Sequence, residues 1–304
     1  MAATSRVSAA RQAKTITIRQ ILRNAALYAA LSILAVLSLF PFVWAFFTSV
    51  KPDSEVLVLP IHLLPTVWHF DNYLKALGAA SFGRYFLNSF VVSTIVCIAQ
   101  LVLASTAGFA FARLDFRWRN ELFALVLATL MVPFQVTMLP LFIMAKNWPL
   151  LGGNNLFGQG GIGMLDSYVG LTVPAFATAY GTFLLRQFLQ SLPSELEDAA
   201  RIDGCSEFGI YGRIILPLSG PALATLAIFS FQGVWNDFVW PLLIIKSDPM
   251  KTVQIGLMAF QRENTTDWTL LMAATLVATL PVMLIFLLGQ RYFTHGIALT
   301  GLKG

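Results

Sequence analysis

Apolar residues run through this chain in long unbroken blocks, without the alternation of a half-buried strand or the one-sided stripe of a surface helix. Six blocks are long enough to cross a bilayer: 25–48, 87–111, 122–145, 168–188, 221–245 and 270–290. A helix rises 1.5 Å per residue, so about 20 apolar residues span a hydrocarbon core about 30 Å thick. The pattern predicts an all-α, polytopic membrane protein with six transmembrane helices. Pro133 and Pro140 in the third block and Pro174 in the fourth are compatible with that, because membrane helices tolerate proline. The first block follows a basic stretch (Arg6, Arg11, Lys14, Arg19, Arg23), as a signal peptide would. It outruns the 7–15 apolar residues, roughly, of such a peptide and has no clean cleavage site after it. It is read as a retained span.

Composition agrees. Hydrophobic residues make up 57% and charged residues 12%, against about 25% charged in soluble domains. The net charge of +5 flanks the apolar blocks, which suits a membrane surface better than nucleic acid. Six spans put both termini on one side. The N-terminal segment, the loops 112–121 and 189–220, the C-terminal tail and Arg186 together hold thirteen of the 20 Lys and Arg. Positive-inside then places both termini in the cytoplasm. Cys97 falls in a span and Cys205 in a polar loop, so no disulfide is expected.

The loop 189–220 is long for a connector and patterned. Ser194 with Glu197 three positions on forms a capping-box signature, predicting a short helix over 195–202. Asp203-Gly204 is a turn signal, and Ser206 opens a second helix through Arg213. Pro217 and Pro221 are expected to break the chain before the fifth span. A helix-turn-helix on the inner membrane face reads as a docking surface.

These residues carry a resemblance. Leu192-Pro193-Ser194-Glu195-Leu196-Glu197-Asp198-Ala199-Ala200-Arg201-Ile202-Asp203-Gly204, continuing to Ile215-Leu216-Pro217-Leu218 and Pro221, resembles the EAA signature of bacterial ABC importer permeases. Within that family the chain is similar to the carbohydrate-uptake branch, and to the second permease of maltose-type systems. Trp235-Asn236-Asp237-Phe238-Val239-Trp240-Pro241, Leu165-Asp166-Ser167-Tyr168 and the tail Thr300-Gly301-Leu302-Lys303-Gly304 support it. Two positions depart from the pattern: Asp198 stands where the signature has Glu, and Cys205 where it has Ala. The resemblance implies a type I importer permease fold, with a cytoplasmic segment 1–24, a permease domain 25–304 (core 83–293) and a coupling loop 189–220. It implies a second, homologous permease, a cytoplasmic ATPase dimer seated on the coupling loop, an extracytoplasmic binding protein reached by the loop 245–268, and a sugar or related polyol as cargo. Monosaccharide, disaccharide, glycosylated polyol and glycerol-phosphate ester all fit. Glu197, Asp198, Ala199, Ala200, Asp203, Gly204, Leu216 and Pro217 are the residues implied for coupling. Either Glu197 or Asp198 could take an Arg or Lys of the ATPase, and the two alanines permit close approach.

Polar residues inside the blocks are candidates for the path. Asp237 is the one acid placed within a span, with Asn236 before it and Trp235 and Trp240 around it. Carboxyl and amide groups suit sugar hydroxyls, and indole faces suit sugar C–H surfaces. Gln135 and Tyr180 are further candidates, each set against a plain packing role. No cofactor is expected. His62, His69 and His295 lack ligand spacing, and no nucleophile motif is present. The glycine-rich stretch Gly152-Gly153-Asn154-Asn155 to Gly158-Gln159-Gly160-Gly161 lacks the Lys of a phosphate-binding loop and reads as a flexible external loop. ATP hydrolysis is therefore expected on a partner subunit. A secondary transporter would be expected to show inverted repeats and several intramembrane charges, which this sequence does not offer.

Overall fold

The computed structural model describes residues 18–79, 81–261 and 265–300, with backbone alone for 18–19 and 291–300. Most of the basic N-terminal segment, Arg262 and Glu263 of the external loop, and the tail after Thr300 lie outside the described residues.

Among the described residues the chain is helical apart from loops and one isolated bridge between Gln261 and Thr266. Three helices are long and apolar enough to cross a membrane unbroken: α1 (Ile18–Ser49), α3 (Phe82–Arg113) and α14 (Trp268–Thr300, apolar to Gln290). A short helix, α2 (Asp71–Gly78), lies between the first two and packs on α14.

The other three expected spans are bent pairs. The third is α4 (Arg119–Ala128) and α5 (Phe134–Lys146), turned by 101°. Pro133 causes the corner. It lacks an amide donor and forces the residue before it out of helical geometry, and Val132 and Pro133 are both extended. Pro140, about two turns further, is carried inside α5. The fourth is α6 (Tyr168–Thr172) and α7 (Ala179–Gln190), bent by 42°. Each half has its own N-cap: Ser167 accepts from Gly170 N–H and Thr178 from Gly181 N–H.

The loop 189–220 holds α8 (Glu195–Ile202), α9 (Glu207–Ile210), a π-helical turn Tyr211–Ile215 and α10 (Leu216–Leu218). The helical run passes through Pro217 and turns by 76° at Ser219 into α11 (Gly220–Trp235), whose first turn accommodates Pro221. The second loop helix thus runs past Arg213, and the corner lies at Ser219 and not at the prolines. The fifth span, expected to run to 245, ends at Trp235. After a break at Asn236–Asp237–Phe238 comes α12 (Val239–Ile244), then a short α13 (Val253–Gly256).

α3 is the axis of the assembly, packing along α7 and α11. Small residues allow the approach. A Cβ on Gly108 would meet the Leu185 Cβ at 2.8 Å, and one on Gly181 would meet the Ala104 Cβ at 3.0 Å. Four apolar clusters line this axis. The largest gathers Phe82, Tyr85, Phe231, Trp235, Phe260 and the alanines of α14. A separate one, built from Phe109, Leu189, Ala200, Ile210 and Ile215, roots the loop 189–220.

The glycine-rich loop before α6 is ordered, contrary to the reading of a flexible connector. Asn154 donates to the Lys146 and Trp148 carbonyls and accepts from Gly161 N–H, while Asn155 accepts from Phe157 and Gln159 N–H.

Candidate functional site

The loop 189–220 is a helix-turn-helix, and Gly204 makes its turn. Its φ of +79° is in the left-handed region, where a side chain is strained. The expected capping box does not form. Ser194 is itself helical and its hydroxyl caps nothing, because Glu197 is turned inward. Glu197 is 2% exposed. Its Oε1 lies 2.9 Å from Nε of Arg113 at the end of α3, an ionic contact without hydrogen-bond alignment. Burial pushes the Glu197 carboxyl above its usual value, and the Arg113 and Arg201 charges pull partly the other way.

Asp198 faces solvent. Arg201, also exposed, lies 3.1 Å from Asp198 Oδ1, 2.9 Å from Glu207 Oε1 and 3.6 Å from Glu197 Oε2. Of the two acids left open by the sequence, only Asp198 is placed where another protein could reach it. Ala199, Asp203, Gly204 and Pro217 are exposed with it, Leu216 is half-buried, and Ala200 is in the loop's core. Sequence reasoning passed over Ile202 and Phe208. They are 87% and 90% exposed and flank the turn. The signal was available: each is a large apolar side chain among polar ones, on a helix of one or two turns.

A second site lies at the break in the fifth span. A cavity of about 360 Å³ opens between α3, α7 and α11, lined by Gln100, Thr178, Tyr180, Ser230, Asp237 and apolar neighbours. Gln100 donates to the Ala175 carbonyl at 2.7 Å and accepts from the Ser230 hydroxyl at 2.5 Å, so it ties the α6–α7 break to α11. Asp237 accepts the Trp240 amide at 3.3 Å and so caps α12. Tyr180 meets Phe229 edge-on at 6.2 Å. Of the path candidates, the structure brings Asp237 and Tyr180 to this cavity. Asn236 is exposed beside it and accepts from Gln254 at 3.4 Å.

Trp235 and Trp240 are elsewhere. Trp235 is 1% exposed, stacked on Phe231, its indole N–H on the Ala278 carbonyl. Trp240 is 4% exposed and donates to the Gly170 carbonyl. Both rings are packed in protein with no free face. Gln135 is exposed at the start of α5 and does not line the cavity, because the corner at Pro133 carries it away. Gln100 and Ser230 were missed. A lone Gln in the second apolar block is the same signal that singled out Gln135.

At the other end of α3, Asn88 is fully buried. Its amide donates to the Pro249 and Lys251 carbonyls and accepts from the Tyr168 hydroxyl. Asp166 accepts from the Lys246 and Ser247 amides and the Ser247 hydroxyl, each at 3.0 Å. Burial raises the Asp166 carboxyl, but those donors and the Lys246 charge outweigh it and hold it below the usual carboxylate range.

Comparison with known proteins gives a consistent picture. Residues 100–298 match the family model "Binding-protein-dependent transport system inner membrane component". The arabinooligosaccharides transport system permease protein AraQ of Bacillus subtilis (strain 168) is 36% identical over 274 residues, 89% of this chain and 92% of that one. The sn-glycerol-3-phosphate transport system permease protein UgpE of Escherichia coli O1:K1 / APEC is 36% identical over 267 residues, covering 85% and 90%. Among solved structures, a chain of a bacterial ABC transporter involved in the import of the acidic polysaccharide alginate superposes with a TM-score of 0.77 at 20% identity, over 91% of this chain and 98% of that one.

Proposed function

This chain belongs to the binding-protein-dependent transport system inner membrane components, and from that premise we propose how its two sites divide the work of an ABC importer. It is the membrane-spanning permease subunit of such an importer, and ATP is hydrolysed by a separate subunit. The exposed face of the loop, with Asp198, Ala199, Ile202, Asp203, Gly204 and Phe208, is the seat of the ATPase. An acid and two apolar side chains stand out from a turn whose base is fixed in a core, which suits insertion into a groove. Leu216 and Pro217 continue that seat toward the fifth span.

The cavity at the broken fifth span is the substrate path. Asp237, Gln100, Ser230 and Tyr180 offer acceptors, donors and an aromatic face to a polyhydroxyl cargo, and Asn236 lies at its rim. A sugar, an oligosaccharide or a glycerol-phosphate ester fits that chemistry and the relatives' printed substrates. A second, homologous permease closes the open side of the cavity, and a binding protein delivers from outside to the surface held by Asn88 and Asp166. Both termini are cytoplasmic, the permease core is 83–293, and the coupling loop is 189–220.

The observation that carries this reading is the opposed orientation of Glu197 and Asp198: one roots the loop, the other presents it. The test is purification of the complex with Asp198→Lys or Gly204→Asp, with the ATPase subunit quantified and uptake of labelled arabinotriose and glycerol 3-phosphate measured in cells. Loss of the ATPase subunit with the permease still in the membrane supports the docking face. Normal association and uptake in both variants would exclude it.

A further inference from the structure

Glu197 has no part in the docking face, yet it is a carboxylate in a loop whose inner side is otherwise apolar. A leucine there would join Ala200, Ile210 and Ile215 with no charge to desolvate. A buried ion pair is at best near break-even for stability, so what it contributes is geometry.

The geometry is specific. The Arg113 Nη2 donates to the carbonyls of Leu189 and Leu192, each at 2.6 Å, while its Nε faces Glu197 at 2.9 Å. One side chain therefore fastens the end of α7 and the first turns of α8 to the end of α3. Further along α3, the Ser105 hydroxyl is 2.7 Å from the Tyr211 hydroxyl of the π-helical turn. π-helical turns are rare and recur at functional positions. The loop is thus held to α3 at both of its helical arms. α3 also carries Gln100, which forms part of the cavity wall and is bonded to both its neighbours there.

We propose that Arg113 and Glu197 are positioning residues for the transport step, their buried pair carrying displacement of the loop into α3 and so to Gln100 in the cavity wall. This rests on the reading of the loop as the ATPase seat and of the cavity as the path. The attachment at α3 carries displacement of the loop to the Gln100 wall of the cavity, whereas the backbone path from the loop into α11 passes through the bend at Ser219, where angular motion can be absorbed.

The test uses the assembled complex in lipid nanodiscs with Cys97→Ser and Cys205→Ser. Gly233→Cys then serves as a reporter, because Gly233 lines the cavity and a Cβ there meets nothing within 4 Å. Its labelling by a membrane-impermeant maleimide is timed with and without ATP plus vanadate. With the pair intact, ATP and vanadate change the labelling rate by about tenfold. With Glu197→Gln the ATPase subunit still co-purifies and the change is lost. Exchanging the charges (Arg113→Glu with Glu197→Arg) restores part of it, a rescue that a merely structural role would not give. Tyr211→Phe, which removes one hydroxyl, reduces the change by about threefold and covers the case in which the Glu197→Gln chain fails to fold. An unaltered response in both Glu197→Gln and Tyr211→Phe overturns the proposal. Loss of the ATPase subunit with Glu197→Gln in an otherwise folded chain overturns it too, by making Glu197 a docking residue. No response even with the pair intact removes the cavity reading and the proposal together, and leaves the Asp198 docking test standing.

Discussion

The two ends of α3 solve the same mechanical problem with different chemistry. At the outer end, Asn88 holds the loop after α12 and the start of α6 through neutral hydrogen bonds. At the inner end, Arg113 holds the loop after α7 through carbonyls and a buried ion pair. A neutral amide satisfied on all sides has one stable arrangement, which suits a surface that must present the same face to each incoming partner. A charge pair under a solvent-exposed loop is sensitive to either partner's removal and to charge nearby, which suits a part that is pushed.

The contrast can be tested by stability. The largest effect is expected from Arg113→Ala, which leaves the buried Glu197 with only the exposed Arg201 near it, 3.6 Å from Oε2, at a cost approaching the roughly 3–5 kcal/mol of a broken buried pair. Thermal denaturation of the solubilised complex should show it, and adding Glu197→Leu should recover most of the loss. Full stability in Arg113→Ala alone would mean the inner end is not held by charge. Asn88→Ala at the outer end leaves the Pro249 and Lys251 carbonyls and the Tyr168 hydroxyl without their amide partner, costing about 2–3 kcal/mol. Its signature should be faster proteolysis of residues 245–252. If the loop 189–220 is cleaved faster instead, the two ends are not independent.

Smaller effects separate the ends by pH. Asp166 has a depressed carboxyl, so its roughly 1 kcal/mol contribution is present above the usual value of 3.8 and lost as pH falls through the folded value. Asp166→Asn should therefore differ from wild type at neutral pH and converge with it in acid. Glu197 has the opposite shift, raised from 4.5. Its contribution is greatest below that value and declines as pH rises through the folded one. A pH titration of denaturation midpoints that moved both variants the same way would contradict this assignment. The smallest change is Gly204→Ala. Its Cβ meets nothing within 4 Å, so only the left-handed backbone is penalised, by about 1 kcal/mol.

Much of this was readable from the sequence. The six apolar blocks, the helix over Glu195–Ile202 and the turn at Gly204 follow from local rules. What could not be read were the decisions made by distant contacts. Glu197 and Asp198 are adjacent and lie about 100° apart around a helix. Which of them turns inward is decided by Arg113 at the end of another helix. Local capping chemistry favoured a bond from Glu197 to the start of its own helix, and the long-range ion pair won. Trp235 and Trp240 beside a polar pair looked like a sugar platform, but their N–H groups found carbonyls on α14 and α6 and took the rings into the core. Pro133 was legible as a proline, and its 101° corner was not, since Pro140 in the next helix produces no break at all.

α1 has one further consequence, for how the chain is made. Its most apolar stretch is exposed on every side among the described residues, and its contacts are with α14, at the opposite end of the sequence. The ribosome must add residues 50–267 before that partner starts to emerge, which takes roughly 10–40 s at ordinary rates of synthesis. For that interval only the end of the helix has protein partners, where Ser49 meets Asn72 and Tyr73, and its apolar stretch faces lipid. Its uniform apolarity, with no polar stripe to hide, is what an early-inserted, late-packed element requires.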